Sequence, residues 1–165
     1  MKFKMNYLLT IISLLSTALI AGLFFTWSNT IMPGLKQLST KNFLEAMQAL
    51  NRVILNPSFL ITFLIPVALL PLNCYLQFKE AVGMKFYFLL LACIFYVFGV
   101  FLVTMIVNVP INESLNKLDI LRTNDKDLLY QRIQFEDRWI PFNTIRAVCA
   151  FLSLLCLVVA KIEQE

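Results

Sequence analysis

The sequence predicts an all-α membrane protein: a four-helix bundle with an additional interfacial amphipathic helix between spans 1 and 2 and a helical third connection. Of the 165 residues, 59% are hydrophobic and only 15% are charged, and the mean hydropathy is +0.76, which is too apolar for a soluble domain of this size. Four apolar segments are long enough to cross a bilayer, at about residues 7–27, 58–78, 84–107 and 141–160. Because four spans use about 80 residues, residues 1–165 are expected to form a single integral membrane domain.

The first span, from Tyr7 to Trp27, contains no charged residue. The segment Met1-Lys2-Phe3-Lys4 ahead of it has the charge of a signal-peptide start. The apolar stretch is too long for a signal peptide, and no small-x-small cleavage site follows it before Trp27, so we interpret it as a retained signal anchor. Within this span Ser13, Thr17 and Ala21 recur every four residues, a spacing of small side chains that favours close helix packing.

The other three spans differ in the prolines and small residues that interrupt their apolar sequences. The second contains Pro66 and Pro71, each of which frees a backbone carbonyl, so we expect a kinked helix that faces protein or water at those points. The third is the most uniformly apolar, with Cys93 and Gly99 as its only small breaks. The fourth is expected to begin near Pro141, because proline suits a first helical turn, whose N–H lacks a partner.

Basic residues set the expected orientation. On one side five lysines lie in very short segments, whereas on the other side eight lysines and arginines are spread over the long connections. The raw count favours the long connections inside, but the density of charge beside the first helix favours a cytoplasmic N-terminus. We therefore predict a multi-pass protein of the plasma or inner membrane with its N-terminus in the cytoplasm.

The first long connection is predicted to contain an amphipathic helix at residues 42–56. Phe43, Met47, Leu50 and Ile54 recur there at helical spacing, and polar side chains occupy the rest of the wheel. Asn42 is the expected cap of this helix, and Asn56-Pro57 is its expected end. The helix either lies along the membrane surface or folds over the bundle.

The third connection is also predicted to be helical, because Asn124 precedes Asp125 and Asp127 in the manner of a helix start. In a four-span bundle the first and third connections emerge on the same membrane face. The run from Ser28 to Gly34 can therefore meet the run from Asn108 to Asn112, next to residues 135–146. We predict a polar pocket at this meeting point.

Several function classes lack their usual residues. The chain has no histidine, which removes the usual haem ligand, the commonest zinc ligand and the usual general base. None of the four cysteines belongs to a C-x-x-C pair, which a quinone-linked thiol oxidoreductase would need. The 14 Lys plus Arg and 10 Asp plus Glu are scattered along the chain, so no nucleic-acid partner is predicted. No metal and no other cofactor is expected.

Arg146 is the most informative polar residue of the spans. It shares one face of the fourth span with Asn143, Ala150, Ser153 and Leu157, and this small, polar face suits a bundle interior. A guanidinium inside a span costs on the order of 2–3 kcal/mol by insertion scales. Arg146 must therefore pair with a carboxylate, extend to the interface or bind an anionic group.

Two further residues join the same stripe if the helix continues upstream through Pro141. They are Glu136 and Trp139. Glu136 or Glu113 is then the natural partner of the Arg146 guanidinium.

Three asparagines complete the predicted site. Asn108 and Asn112 flank Pro110, and they either satisfy the carbonyls that the proline frees or bind a ligand. Asn29, ahead of Pro33-Gly34, either belongs to a tight turn at the end of the first span or lines the same pocket. Each signal is weak alone, but their convergence on one membrane face favours a pocket.

The same residues carry a family resemblance. The string from Ser28 to Leu35 (SNTIMPGL) is followed by FLEAMQ at residues 43–48, Asn51, Asn56-Pro57, VPIN at residues 109–112, FEDRW at residues 135–139, Asn143 and Arg146. Together these motifs resemble the anthrone oxygenase family, which consists of small four-span membrane proteins, over essentially the whole chain. The family's usual second tryptophan, just before the asparagine of the fourth span, is Phe142 here.

This resemblance implies the oxidation of a polyketide-derived anthrone to an anthraquinone by molecular oxygen, with no metal or flavin. The substrate would lose a proton to give an electron-rich enolate that reacts with oxygen directly. The resemblance then implies these roles: Arg146 stabilises the developing oxyanion, Asn143 and Asn112 orient the phenolic oxygens, Asn29 and Asn108 contact the substrate, Trp139 stacks on its rings, and Glu136 is the base.

A second function is compatible with the same residues. A non-enzymatic membrane protein could bind a lipid, a quinone or a partner helix, with Arg146 holding a headgroup or an internal carboxylate. Besides the lipid bilayer, the expected partner is therefore a hydrophobic or aromatic small molecule. The sequence leaves the substrate and the oligomeric state open.

Overall fold

The fold, taken from a computed structural model, is described for residues 2–163, with side chains from Asn6 onward. It consists of five helices: α1 at residues 2–36, α2 at Thr40–Val53, α3 at Pro57–Glu80, α4 at Met84–Asn116 and α5 at Asp125–Ile162. No strand occurs among these described residues. The predicted all-α fold class is confirmed.

Four of the helices are long and apolar enough to cross a membrane, namely α1, α3, α4 and α5. The longest, α5, has 38 residues and is about 57 Å long at a rise of about 1.5 Å per residue. This is nearly twice the ~30 Å of a bilayer's hydrocarbon core. Its first part therefore extends beyond the span that the sequence predicted and forms about half of the third connection.

The start of α5 corrects the sequence interpretation, which placed it near Pro141. The helix begins at Asp125, where the Asn124 side chain accepts a hydrogen bond from the Asp127 N–H at 3.0 Å. Pro141 lies inside the helix. The carbonyl that the proline frees belongs to Asp137, an exposed residue, so water or a headgroup can satisfy it and the helix continues.

The spanning helices pack in the cyclic order α1, α3, α4, α5, each against its two neighbours. Buried apolar side chains from all four helices fill the centre of the bundle. The face of α5 that the sequence assigned to the interior is buried throughout, from Asn143 to Leu157. Ser13, Thr17 and Ala21 of α1 are buried as well, which agrees with the packing role expected for them.

Helix α2 folds over one end of the bundle, where it packs against α4 and α5. Phe43, Leu44 and Met47 on its apolar face are fully buried against protein. Its cap differs from the prediction: Ser39, in an extended conformation, accepts a hydrogen bond from the Asn42 N–H at 3.3 Å, and Asn42 lies inside the helix. A side-chain oxygen at the residue before the first helical turn satisfies an N–H that has no partner within the helix.

Candidate functional site

Two π-helical turns, each just before a proline, shape the candidate site. They cover Trp27–Ile31 in α1 and Thr104–Asn108 in α4, and they precede Pro33 and Pro110 by two residues. Each turn is closed by an N–H that bonds to the carbonyl five residues earlier. Because a proline ring crowds the carbonyl four residues before it, a locally wider turn relieves that conflict. The residues that these turns carry are those that meet α5.

The Arg146 side chain is buried where α1, α4 and α5 come together, and it is 5% exposed. Its Nη1 donates to Thr104 Oγ1 at 3.3 Å, and its Nη2 donates to Asn143 Oδ1 at 2.9 Å. The Phe24 ring centroid lies 4.4 Å from the guanidinium carbon and the Trp139 ring centroid 5.5 Å. The guanidinium thus stays inside the bundle and does not extend to the interface.

No carboxylate among the described residues lies within ion-pair distance of Arg146, and its Nε has no hydrogen-bond partner. A buried guanidinium normally pairs with an anion. The two neighbouring rings offset part of the charge through their negative faces. The site therefore has a buried positive charge and a free N–H donor.

Glu136, the partner expected for Arg146, is engaged elsewhere. Its carboxylate lies 2.7 Å from Arg132 Nε and 3.7 Å from Lys36 Nζ. Arg132 is one helical turn away from Glu136, whereas Arg146 is ten residues away, about 15 Å along the axis. Glu113, the other expected partner, is exposed. The pairing expectation was wrong for both carboxylates.

Asn143 orients the arginine. Its Nδ2 donates to Ser28 Oγ at 2.8 Å and to the Phe24 carbonyl at 3.4 Å, while its Oδ1 accepts from Arg146. Both ends of this amide are used, and the residue is 1% exposed. Asn143 therefore connects the end of α1 to the guanidinium and fixes where the guanidinium points.

The remaining predicted residues of α4 and α5 carry buried polar atoms without partners. Asn108 is fully buried, and neither its Oδ1 nor its Nδ2 has a partner. The same holds for Asn112 Oδ1 and for the indole Nε1 of Trp139. Each such atom costs on the order of 1–3 kcal/mol if it stays unsatisfied, and native proteins keep few of them. A ligand or ordered water with both donors and acceptors would satisfy this set.

Aromatic rings enclose the same region. The Trp139 ring lies 5.3 Å from the Trp27 ring and stacks at 6.0 Å on Phe135. Trp27 and Trp139 are the only tryptophans among the 165 residues. An aromatic molecule would find rings to stack on here.

Asn29, like Glu136, is a predicted site residue that is not brought to this cluster. It is exposed, and its Oδ1 accepts a hydrogen bond from Thr30 Oγ1 at 2.7 Å. Ser28, one residue earlier, makes the contact with Asn143 instead. The sequence suggested a turn at this point, whereas a π-helical turn prolongs α1 and changes which side chain faces inward.

Three residues of the cluster were missed at the level of sequence. Thr104 precedes Asn108 by four residues and so lies on the same helical face, a signal that could have identified it. Phe24 and Trp27 are aromatic residues at the end of an apolar span, and nothing in the local sequence separates them from packing residues. Their role emerges only from their contact with α5.

The fold and the cluster define a class: small four-span α-helical membrane proteins with a buried arginine at the junction of three helices. A family model described as "Anthrone oxygenase" matches residues 43–156, which is more than half of the chain. The chain belongs to the anthrone oxygenase family, as its motifs predicted. The match includes Asn108, Trp139 and Arg146, while α1 with Ser28 precedes it. No curated protein and no solved structure matches the chain.

Proposed function

We propose that this protein is a cofactor-independent oxygenase that converts an anthrone-like aromatic substrate to a quinone at the Arg146 cluster. The observation that carries the proposal is the buried guanidinium without a carboxylate. A positive charge held ready in a water-poor site stabilises a substrate oxyanion far more than it would in water. It also lowers the free energy of the enolate that must form before oxygen can react.

The surroundings of Arg146 support a flat, oxygenated ligand. The rings of Trp27, Trp139 and Phe24 suit an aromatic molecule. The unpartnered atoms of Asn108, Asn112 and Trp139 suit hydroxyl and carbonyl groups on that molecule. An acyl chain would satisfy none of these polar atoms, which favours an aromatic substrate over a lipid tail.

The proposed reaction balances with dioxygen as the only oxidant. A methylene proton leaves the anthrone and gives an enolate whose oxygen faces the guanidinium. The enolate carbon adds dioxygen and a proton to form a hydroperoxide, which eliminates water. One oxygen atom becomes the new quinone carbonyl, the other leaves as water, and the substrate loses four electrons.

Glu136 is our candidate for the base that removes the proton. It is the only carboxylate among the described residues that is not exposed. Its ion pairs with Arg132 and Lys36 fix it at the end of α1. Because about 15 Å of helix separates it from Arg146, Glu136 would receive the methylene proton through intervening water and not by direct contact with a substrate whose enolate oxygen lies at Arg146. Asn143 holds Arg146, and Asn108, Asn112 and Trp139 bind the substrate in this proposal.

The proposal is tested with purified protein in lipid nanodiscs, a dihydroxyanthrone and a chelator. We expect oxygen uptake together with the appearance of the anthraquinone absorption band, at a rate well above that of empty nanodiscs. Saturable binding without oxygen uptake would instead favour the second function, a non-enzymatic protein that binds aromatic molecules or quinones. An absence of both binding and turnover would contradict the substrate class.

A further inference from the structure

Asn51 of α2 carries a buried amide that the proposed chemistry has not used. It is 6% exposed, and its Nδ2 has no hydrogen-bond partner. It lies one turn after Met47 on the face of α2 that is otherwise apolar, with Phe43, Leu44 and Met47 all fully buried. An asparagine on such a face needs a partner, because an unsatisfied buried amide is costly.

The attachment of α2 to the bundle does not depend on Asn51. The neighbouring Gln48 provides it, because its Nε2 donates to the carbonyls of Leu115 and Leu118 at 2.8 and 2.9 Å. Met47 packs in one apolar cluster with Ile111, Leu115 and Trp139. The helix is thus held by Gln48 and its apolar side chains, while Asn51 Nδ2 contributes no hydrogen bond to this packing.

The part of α4 that packs against the buried face of α2 also carries polar atoms without hydrogen-bond partners. Ile111 and Leu115 of α4 pack against that face. Asn108 lies three residues before Ile111, and neither polar atom of its amide has a partner. Asn112 follows Ile111 directly, and its Oδ1 has no partner either. Unpartnered polar atoms therefore occur on both elements that close this end of the bundle. One ligand between α2 and α4 would satisfy them together.

We infer that Asn51 is a substrate-binding residue whose Nδ2 donates a hydrogen bond to an oxygen of the bound aromatic molecule, so that α2 forms one wall of the site. This rests on the proposed function for the class of ligand, an aromatic with at least two oxygen substituents. One oxygen faces Arg146 and a second accepts from Asn51. Such a ligand binds through two separate acceptors, and a hydrocarbon of the same shape loses both contacts.

The experiment measures binding by quenching of intrinsic tryptophan fluorescence, since both tryptophans of the chain lie in this cluster. The probes are a dihydroxyanthrone and anthracene, which has the same three rings and no oxygen. Asn51→Leu is compared with wild type and with Gln48→Met, and melting temperatures are recorded without ligand. Anaerobic conditions separate binding from turnover.

We expect Asn51→Leu to bind the dihydroxyanthrone about tenfold more weakly, the factor that corresponds to about 1.4 kcal/mol, with unchanged binding of anthracene. Its melting temperature should be equal to or higher than that of wild type, because a leucine replaces an unsatisfied amide. Gln48→Met should lower the melting temperature, since two carbonyls lose their donor. If leucine does not fit, Asn51→Ala removes the same amide without added volume.

Two results would overturn the inference. The first is that Asn51→Leu or Asn51→Ala binds the dihydroxyanthrone with wild-type affinity. The second is that these variants melt at a temperature as far below that of wild type as Gln48→Met does, which would make Asn51 a structural contact. Failure of wild type to bind the dihydroxyanthrone would overturn the ligand class. Binding without oxygen uptake under air would contradict only the proposed function and leave the role of Asn51 standing.

Discussion

At the scale of single residues, the proposed chemistry depends on a positive charge that has no neighbouring carboxylate among the residues that the structure describes. Arg146 is held by Asn143 and Thr104, and its guanidinium lies near the rings of Phe24 and Trp139. Neutral partners orient the guanidinium but leave its charge uncompensated. A protein that needed Arg146 only for stability would gain more from a neighbouring carboxylate or from an apolar side chain.

This difference gives a prediction for Arg146→Met. Turnover of a dihydroxyanthrone should fall on the order of 10²–10³-fold, the usual loss when one oxyanion contact is removed. The melting temperature without ligand should stay equal or rise, because a buried charge without a carboxylate partner disappears. Arg122→Met, which changes an arginine that is 89% exposed, is the matched control and should alter neither quantity. A large loss of melting temperature with unchanged turnover would assign Arg146 to structure.

Arg146→Lys distinguishes charge from geometry. Lysine keeps the positive charge but lacks the planar fork that reaches both Thr104 and Asn143. We expect turnover to fall by at least about tenfold, while the Michaelis constant changes less. Steady-state kinetics in the presence of a chelator provide this comparison, and wild-type kinetics in the lysine variant would show that a point charge is enough.

Glu136→Gln tests the base. If Glu136 removes the substrate proton, kcat should fall on the order of 10²–10⁴-fold with little change in the melting temperature, because partly exposed ion pairs contribute about 1 kcal/mol or less. Lys36→Met removes one of its two cationic neighbours without changing the carboxylate, and it should retain most of the activity. Equal activity in Glu136→Gln and wild type would exclude the carboxylate from the reaction.

The sequence named most polar residues of the cluster, but it did not predict the π-helical turns and helix ends that position them. Spacing alone identified the buried face of α5 with Asn143 and Arg146, because a long helix repeats regularly. Asn29 was assigned in place of Ser28 because a π-helical turn shifts the register by one residue, and no periodicity rule includes such a turn. The sequence interpretation paired Glu136 with Arg146, whereas its carboxylate contacts Arg132 and Lys36. Those contacts form because α5 already begins at Asp125 and α1 extends to Lys36, whereas the predicted fourth span began near Pro141 and the predicted first span ended at Trp27.

At the scale of elements, close approach between α4 and α5 is set by a glycine. A Cβ added at Gly99 would lie 2.6 Å from Cys149 Cβ and would also collide with Cys149 Sγ. Gly99 belongs to a π-helical stretch, Phe95–Leu102, that lies between α4's regular first part and the turn that carries Thr104. The contact at Gly99 therefore fixes the separation of the two helices that hold Thr104 and Arg146.

We predict that Gly99→Ala lowers stability by about 1–3 kcal/mol, the usual cost of overpacking, and weakens turnover because Thr104 moves away from Arg146. Adding Cys149→Gly should restore much of the loss, since it removes both atoms that the new methyl group meets. Gly22→Ala is the matched control, because nothing lies within 4 Å of a Cβ there. Thermal unfolding in detergent provides the measurement, and equal melting temperatures of Gly99→Ala and Gly22→Ala would contradict the close contact.

The element boundaries show where sequence patterns succeed. The apolar stretches predicted four long helices because a bilayer-length run of such residues has few alternatives. The position of α2 was left open between the membrane surface and the bundle, because an amphipathic stripe fits lipid and protein equally. Only the burial of Phe43, Leu44 and Met47 against α4 and α5 decides it.

At the scale of the whole molecule, the arrangement of the four long apolar helices places the Arg146 cluster toward one end of the bundle. The end of α1, the end of α4 and the middle of α5 meet there, and α2 covers them. The short turn between α3 and α4 lies at the opposite end. We propose that the cluster faces away from the cytoplasm, with the N-terminus inside, on the density of lysines beside the first helix.

Cysteine labelling tests this topology. Lys117→Cys lies in the third connection and Val82→Cys in the turn between α3 and α4, and both positions are exposed. With the N-terminus inside, a membrane-impermeant maleimide should label Lys117→Cys in intact cells and Val82→Cys only after lysis. Wild type, whose four cysteines all lie in spanning helices, gives the background. The reverse pattern would place the cluster on the cytoplasmic face.

Arg146 is proposed to form a ligand site, and mass spectrometry of small molecules that co-purify with the solubilised protein tests this most directly. Wild type and Arg146→Met are prepared side by side, with Arg122→Met as the control. We predict an oxygenated aromatic molecule that is retained by wild type and by the control and is lost from Arg146→Met. Identical sets of co-purifying small molecules in all three preparations would contradict this assignment.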